Sequence, residues 1–322
     1  MTHNLSFDFY QKNKSSVQAI RKYSQLREIL LSYPSALLAY SGGVDSTFLL
    51  AAWHEVWKDK KKNRVDVTVR DNKVVTGKSA RTDSEESESP RLLACTILSP
   101  LLPTGTAEDV QKMVDFMDAE HRFLQIDPLR EPFMSKNEWD RCYHCKLHLF
   151  QSLVNLAKKE KISFLFDGTN VDDLKDFRPG HRALSELAVF SPLAEAKLTK
   201  DEIRFLSKEM GLPTWNLPSM ACLASRIPYG VAVDKKKLQQ IDAAELVLHK
   251  LGFPGSRVRY HGDGARIEID ERYGRNASFL LEEPYRSHVI SALKEIGFRY
   301  ISLDLEGYRM GSLNPNRDSL DS

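Results

Sequence analysis

Long apolar runs are missing from this chain. No stretch approaches the roughly eighteen consecutive apolar residues that read as a membrane span, so an integral helical membrane protein is excluded as an expectation. An excess of one charge is missing too. Lys and Arg number 46 against 44 Asp and Glu, a formal net charge of +2. The overall basic footprint of a dedicated nucleic-acid binder is therefore absent. Cysteine is scarce, with four in 322 residues. That excludes a disulfide framework and points to a reducing compartment, with the cytoplasm as the expected location. Met1 to Lys14 is polar and carries Asp8, which does not fit a secretory signal. The pattern G-x-x-x-x-G-K-[ST] does not occur, so a Walker-type phosphate loop is ruled out.

What is there begins with Ser41-Gly42-Gly43-Val44-Asp45-Ser46. Apolar residues Ala36 to Tyr40 precede it and Thr47 to Ala52 follow it, a pattern of buried strand, tight polar turn and helix. Two adjacent glycines let backbone approach a ligand, and the first amides of a helix have no internal partner. With the helix dipole added, the turn is suited to an anion. Without a ligand, the same residues would be a strand-to-helix turn capped by Asp45 or Ser46. The pattern S-G-G-x-D-S resembles the PP-loop of ATP pyrophosphatases, which cleave ATP between the α- and β-phosphates. That resemblance implies ATP at Ser41, Gly42, Gly43, Asp45 and Ser46, with Asp45 helping to place Mg2+.

The rest of the chain reads as two units. Val17, Ile20, Leu26, Ile29 and Leu30 predict a helix before the first strand. Leu92 to Leu98, His121 to Ile126 and Ile162 to Phe166 predict further strands, separated by helices around Val110 to Met117 and Leu147 to Ala157. This alternation predicts an α/β fold, a doubly wound parallel sheet spanning residues 1–229, with ligands at the carboxyl ends of its strands. Lys58 to Arg91, basic and then rich in Ser and Glu, reads as a mobile insertion with a stray hairpin strand at Val65 to Val69. From 230 to 313 the order helix, strand, strand, helix, strand predicts a small α+β domain, and 314–322 reads as a tail.

Three of the cysteines sit in polar contexts. Cys142 and Cys145 form a C-x-x-C just before a predicted helix, and Cys222 lies far downstream in A-C-L-A-S-R. A thioredoxin-like dithiol needs a different context, and a structural zinc site lacks its fourth ligand. Three thiolates suit an iron–sulfur cluster with one open iron, and three plain reduced thiols remain the alternative. Cys95, inside an apolar strand, reads as a small buried hydrophobe.

Together these segments resemble the LarE sulfur transferases, which help build the nickel-pincer cofactor of lactate racemase. The resemblance rests on Ser41 to Ser46, Asp167-Gly168-Thr169-Asn170, Phe177-Arg178-Pro179-Gly180, Ser191-Pro192-Leu193, Leu198-Thr199-Lys200, Gly211 to Trp215, Cys222 to Gly230, and Arg257-Val258-Arg259. It implies that a carboxylate of pyridinium-3,5-biscarboxylic acid mononucleotide attacks ATP, giving an acyl-adenylate and pyrophosphate. Cysteine-bound sulfur then displaces AMP and stays with the product as a thiocarboxylate. In one branch of the family the cysteine at the Cys222 position gives up its own sulfur. In the other, three cysteines hold a 4Fe–4S cluster with a replaceable sulfide, and the presence of Cys142, Cys145 and Cys222 favours that branch here. The resemblance also implies Gly168 at the ATP, with Arg257, Arg259, Ser225, Arg226 and Arg178 at the substrate, and Glu245 and Glu268 at a metal. Arg257 and Arg259 alternate on one strand, so they are expected to face one way. A homo-oligomer acting on a small nucleotide-like substrate is expected. The rival readings are a tRNA-thiolating enzyme, which would favour a basic face, an amidotransferase or NAD-synthetase-like ligase, which has no use for three placed cysteines, and a non-enzymatic adenine-nucleotide sensor.

Overall fold

The structure, a computed structural model, describes residues 14–62, 67–70, 73–76, 90–175 and 180–309. The chain runs through α1 (Lys14–Leu31), β1 (Ser35–Ala39), α2 (Val44–Lys62), a hairpin of β2 (Val67–Arg70) and β3 (Lys73–Thr76), and β4 (Arg91–Leu98). It continues with α3 (Thr106–Met117), β5 (His121–Gln125), α4 (Pro132–Lys136), α5 (Arg141–Lys159) and β6 (Leu165–Phe166). Four helices follow, α6 (Val171–Lys175), α7 (Gly180–Glu186), α8 (Pro192–Glu195) and α9 (Lys200–Glu209). The last segment is α10 (Lys235–Lys250), β7 (Arg257–His261), β8 (Gly264–Glu268), α11 (Tyr285–Ile296) and β9 (Tyr300–Leu303).

The first sheet is parallel, in the order β5-β4-β1-β6. Its central strand explains the layers. Ala36, Leu37 and Leu38 are all fully buried, as a parallel strand covered on both faces must be. Side chains alternate across a strand, so Ala36 and Leu38 join a core with Leu26, Phe48, Trp53 and Ile203 from α1, α2 and α9. Leu37 joins the opposite layer with Leu93, Cys95, Leu153 and Ala157. Cys95 is buried there as expected, and burial pushes its thiol up to about 11.

The second sheet pairs β7 with β8 antiparallel and β8 with β9 parallel. Helices α10 and α11 supply Ala244, Leu248, Val289 and Leu293 to its core. The predicted order of elements is thus present after residue 230. The two halves nevertheless share apolar surface. Leu101 and Met134 of the first half pack in one cluster with Leu223, Ala224, Leu238 and Ile241.

Three local expectations change. The C-x-x-C lies inside the first turn of α5 rather than before it, because the helix starts at Arg141. The strand expected at Ile162 to Phe166 narrows to Leu165–Phe166, since pairing with β1 begins only where Leu37 N–H donates to Phe164 O (2.8 Å). The stretch expected as an insertion loses both ends. Helix α2 continues to Lys62, and Arg91 opens β4 with bonds to Glu120 and Glu160. Between them lies a two-stranded hairpin whose first strand, Val67–Arg70, is shifted by one or two residues from the expected hairpin strand, and residues 77–89 fall outside those described. Arg178 and the tail from Asn314 also lie outside the described residues. Among the described residues, no helix is long and apolar enough to cross a membrane.

Because Ile241 is fully buried in the cluster shared by both halves, Ile241→Ala is expected to destabilise the protein by about 2–5 kcal/mol. Chemical denaturation checks this, with a smaller loss expected for Ile241→Val, about 0.5–1.5 kcal/mol.

Candidate functional site

The glycine turn between β1 and α2 is closed by its own hydroxyls. Ser41 and Ser46 Oγ atoms lie 3.1 Å apart, Gly43 N–H donates to Ser41 Oγ (3.3 Å), and Ser41 N–H donates to Ser46 Oγ (3.3 Å). Gly42 has φ +75°, and a Cβ there would sit 2.8 Å from Val110 Cγ2 of α3. Only glycine meets both demands. Tyr40 OH, bonded to Thr47 Oγ1 at 3.0 Å, ties the strand to the helix beneath the turn. The turn therefore presents the amino end of the 19-residue helix α2 at the carboxyl end of the central strand.

Asp45 stands at this helix start, and a second loop packs on it. A Cβ at Gly168 would lie 3.1 Å from Ser46 N and 3.3 Å from Asp45 Cβ, so the D-G-T-N loop after β6 can approach only as glycine. Asn170 Nδ2 donates to Asp45 Oδ1 (3.4 Å), and Lys200 Nζ donates to Asp45 Oδ2 (2.5 Å). Burial raises the Asp45 carboxyl pKa, with the Lys200 ammonium opposing that shift. The loop itself is fixed by Asp167, a buried carboxylate that accepts from Ser191 Oγ (2.6 Å) and Thr169 N–H (3.2 Å).

The three expected sulfur residues are brought together. Cys142 is exposed, while Cys145 and Cys222 are half-buried and pack against the same apolar cluster. Burial pushes the Cys145 thiol up to about 12, reinforced by negative charge at Cys222 and Cys142. Burial also raises the Cys222 thiol, and the positive charge of Arg141 pulls the other way. Arg141 is the residue that sequence reasoning missed. Buried at the start of α5, it donates to Ala224 O (3.1 Å) and Asn137 Oδ1, reaches Cys142 Sγ at 3.5 Å, and packs over the Tyr229 ring. Asn137, at φ +48°, in turn donates to Pro228 O and Val231 O (2.8 and 2.6 Å). This chain of bonds holds the C-x-x-C helix against the Cys222 turn. Three thiols around a buried cation are the right donor chemistry for a group carrying net negative charge, such as a thiolate-held cluster. As placed, no three His, Cys, Asp or Glu side chains among the described residues already form a metal-ligand set.

The expected phosphate ligands divide into two kinds. Arg226, 1% exposed, makes a two-point contact with Glu245 (2.8 and 2.9 Å) and donates to Ala221 O, Cys222 O and Ser225 Oγ. It braces the Cys222 turn instead of reaching out to a substrate, and Ser225 Oγ donates to Cys222 O (2.7 Å) in the same brace. Arg259 is paired with Glu268 (2.7 Å), which also receives Arg266 (3.2 Å). The metal role expected of Glu245 and Glu268 does not fit this arrangement, because buried arginines already neutralise both carboxylates. Arg257 differs. Its bonds go to the backbone oxygens of Gly255, Ser256 and Ser219, it stacks on Tyr308, and its buried Nε has no partner. Burial, and then the Arg226 charge, lowers its pKa. A buried guanidinium without a carboxylate welcomes an anion.

A cleft of about 230 Å³ joins these parts, with Gly42 and Val110 on one wall and Ala221, Arg226, Glu245 and Arg257 on the other. The glycine turn of the first sheet and the brace of the Cys222 turn thus open onto one space. The motif residues, Lys200 among them, were readable one at a time. The pairing of Lys200 with Asp45 and the bracing role of Arg141 were not, because their partners lie 155 and 83 residues away.

No family model matches the chain. It is 33% identical, over 86% of its length and 88% of the relative's, to the pyridinium-3,5-bisthiocarboxylic acid mononucleotide synthase of Lactiplantibacillus plantarum. It is also 33% identical to an uncharacterised protein of Synechocystis, over 91% of this chain and 97% of that one. An uncharacterised protein of Methanocaldococcus jannaschii is 28% identical over 78% of this chain and 96% of its own length.

Two outcomes follow from the geometry. Gly42→Ala must hold a left-handed backbone, at about 1–2 kcal/mol, and clash with Val110. It is expected to lower affinity for an anion at the turn about tenfold or more while the fold persists, as read by calorimetry and circular dichroism. Iodoacetamide at neutral pH is expected to modify exposed Cys142 first. Cys95 and Cys145, whose thiols are held protonated by burial, are expected to lag, and peptide mass mapping gives the order.

Proposed function

This chain belongs to the family of pyridinium-3,5-bisthiocarboxylic acid mononucleotide synthases, the LarE sulfur transferases, and on that footing we propose that it converts a carboxylate of a pyridinium mononucleotide into a thiocarboxylate at the expense of ATP. What carries the reading is the cleft that Gly42 of the S-G-G-x-D-S turn and Ala221 and Arg226, which flank Cys222, line together. In this proposal the amides of Ser41 to Ser46 hold the β- and γ-phosphates, an anion placed where helix dipole and backbone donors converge. Gly168 allows the neighbouring loop to close that pocket. Arg257 receives the substrate phosphate, since its guanidinium is buried without a carboxylate partner. Arg178, outside the described residues, is a further candidate for that phosphate, whereas Arg226 and Arg259 support the site from behind.

The chemistry then runs in two transfers. A substrate carboxylate oxygen attacks the α-phosphorus, the bond from that phosphorus to the β-phosphate oxygen breaks, and pyrophosphate leaves with the electron pair. Sulfur held at the three-cysteine site would attack the acyl carbon of the adenylate, the carbon–oxygen bond would break with its electron pair leaving on AMP, and the bond from that sulfur to the site would then break so that it remains on the product as the thiocarboxylate. Mg2+ held at Asp45 would offset charge on the leaving pyrophosphate. A 4Fe–4S cluster held by Cys142, Cys145 and Cys222 would supply a replaceable sulfide. Arg141, beside Cys142 and electrostatically coupled to Cys222, stabilises negative charge on sulfur. The presence of Cys142 and Cys145 as well as Cys222 is the reason for preferring this to a single sacrificial cysteine.

Asp45→Asn is expected to abolish product formation with the fold intact. In protein purified without oxygen, replacing any one of Cys142, Cys145 and Cys222 by Ala is expected to remove iron and sulfur transfer together. If Cys222 alone is the donor, Cys142→Ala and Cys145→Ala stay active and intact-mass spectra show Cys222 losing H₂S after one turnover.

A further inference from the structure

Lys200 belongs to a motif whose role the reaction above leaves open, and its surroundings give it one. It is the first residue of α9, yet its ammonium does not serve that helix. The helix start is already closed by a reciprocal cap, in which Thr199 N–H donates to Glu202 (2.8 Å) and Glu202 N–H donates to Thr199 Oγ1 (3.3 Å). The Lys200 backbone N–H separately anchors the turn to Asp172 (2.8 Å). Lys22 from α1 holds Glu202 at 2.7 Å. The ammonium is free of these duties and sits on Asp45 instead, with side-chain exposures of 28% and 22% for the pair. The pair is half-buried, so the cost of taking both charges out of water offsets much of their attraction, and fold stability is a weak reason for it.

Electrostatics gives a stronger one. Asp45 lies at the amino end of α2, beside the turn suited to phosphate, and Asp173 adds a second negative charge nearby. An uncompensated carboxylate there would repel the anion that the turn attracts. Resting on the proposed binding of ATP at this turn, we propose that Lys200 is the stand-in cation of Asp45, displaced when a divalent metal ion takes the carboxylate and then transferred to the pyrophosphate portion of the nucleotide. The flexible four-carbon stem of lysine suits such a change of partner, as a rigid guanidinium would not. One residue thus offsets the Asp45 charge in the empty site and becomes a positioning residue for the leaving group once the site is filled.

The test uses the whole chain and needs no turnover. Lysines are acetylated briefly with an amine-reactive ester and mapped by mass spectrometry in protein alone, with Mg2+, and with Mg2+ plus inorganic pyrophosphate. Exposed Lys112, 77% accessible, serves as the reference. Lys200 labelling is expected to rise several-fold with Mg2+ alone and to fall below the metal-free level when pyrophosphate is added. In calorimetry, Lys200→Met is expected to bind Mg2+ at least as well as the unaltered chain and pyrophosphate about tenfold more weakly. Pyrophosphate that binds the unaltered chain while Lys200 labelling stays constant in all three conditions would overturn the exchange and leave the turn's assignment standing. Failure of the unaltered chain to bind pyrophosphate or ATP at all would remove both.

Discussion

Arg226 and Glu245 form the contact on which the site depends. The guanidinium is almost fully buried, and its two-point contact with the carboxylate spans from the Cys222 turn to α10. Glu245 also accepts from Val258 N–H (3.0 Å), so the same carboxylate fixes β7 and with it the neighbouring Arg257. Arg226 meanwhile gathers the carbonyls of Ala221 and Cys222. One ion pair therefore sets where the sulfur residue and the anion-seeking arginine stand relative to each other. Such a pair adds little net stability over an apolar replacement, but losing one member leaves a buried charge that costs about 3–5 kcal/mol. Its worth lies in position.

In the proposed reaction the two halves divide the chemistry. The parallel sheet brings a helix amino end and a glycine turn, features that attract phosphate through backbone rather than through formal charge. The second half and the turn leading into it bring buried arginines, two of them neutralised by Glu245 and Glu268, with Arg257 left over. The chain's near-neutral charge balance is consistent with this economy, since the cations that matter are few and buried. Arg141 is a further buried cation, donating to Ala224 O and reaching Cys142 Sγ.

Elements with a strong period were legible in the sequence. The buried run Ala36 to Leu38, the helix that follows it and the strand–strand–helix–strand order after residue 230 all appear where the pattern placed them. Boundaries set by hydrogen bonding were less so. Helix α5 gained a turn and took in the C-x-x-C, and β6 shrank to the two residues that pair with β1. In the site, residue type told which positions carry charge but not where the charge is spent. Arg226, Arg259, Glu245 and Glu268 read alike as open ligands in one dimension, and become two buried pairs only when the Cys222 turn packs on α10 and β7 pairs with β8. Lys200 was visible as part of a motif, and its pairing with Asp45 depends on α9 packing beside α2.

The central claim is that the cleft joins ATP cleavage between the α- and β-phosphates to sulfur transfer onto a carboxylate. The most direct measurement is the nucleotide product formed from ATP in the presence and absence of pyridinium-3,5-biscarboxylic acid mononucleotide. The account predicts AMP and pyrophosphate, in step with thiocarboxylate and dependent on the acceptor. ADP and orthophosphate, or hydrolysis indifferent to the acceptor, would contradict it.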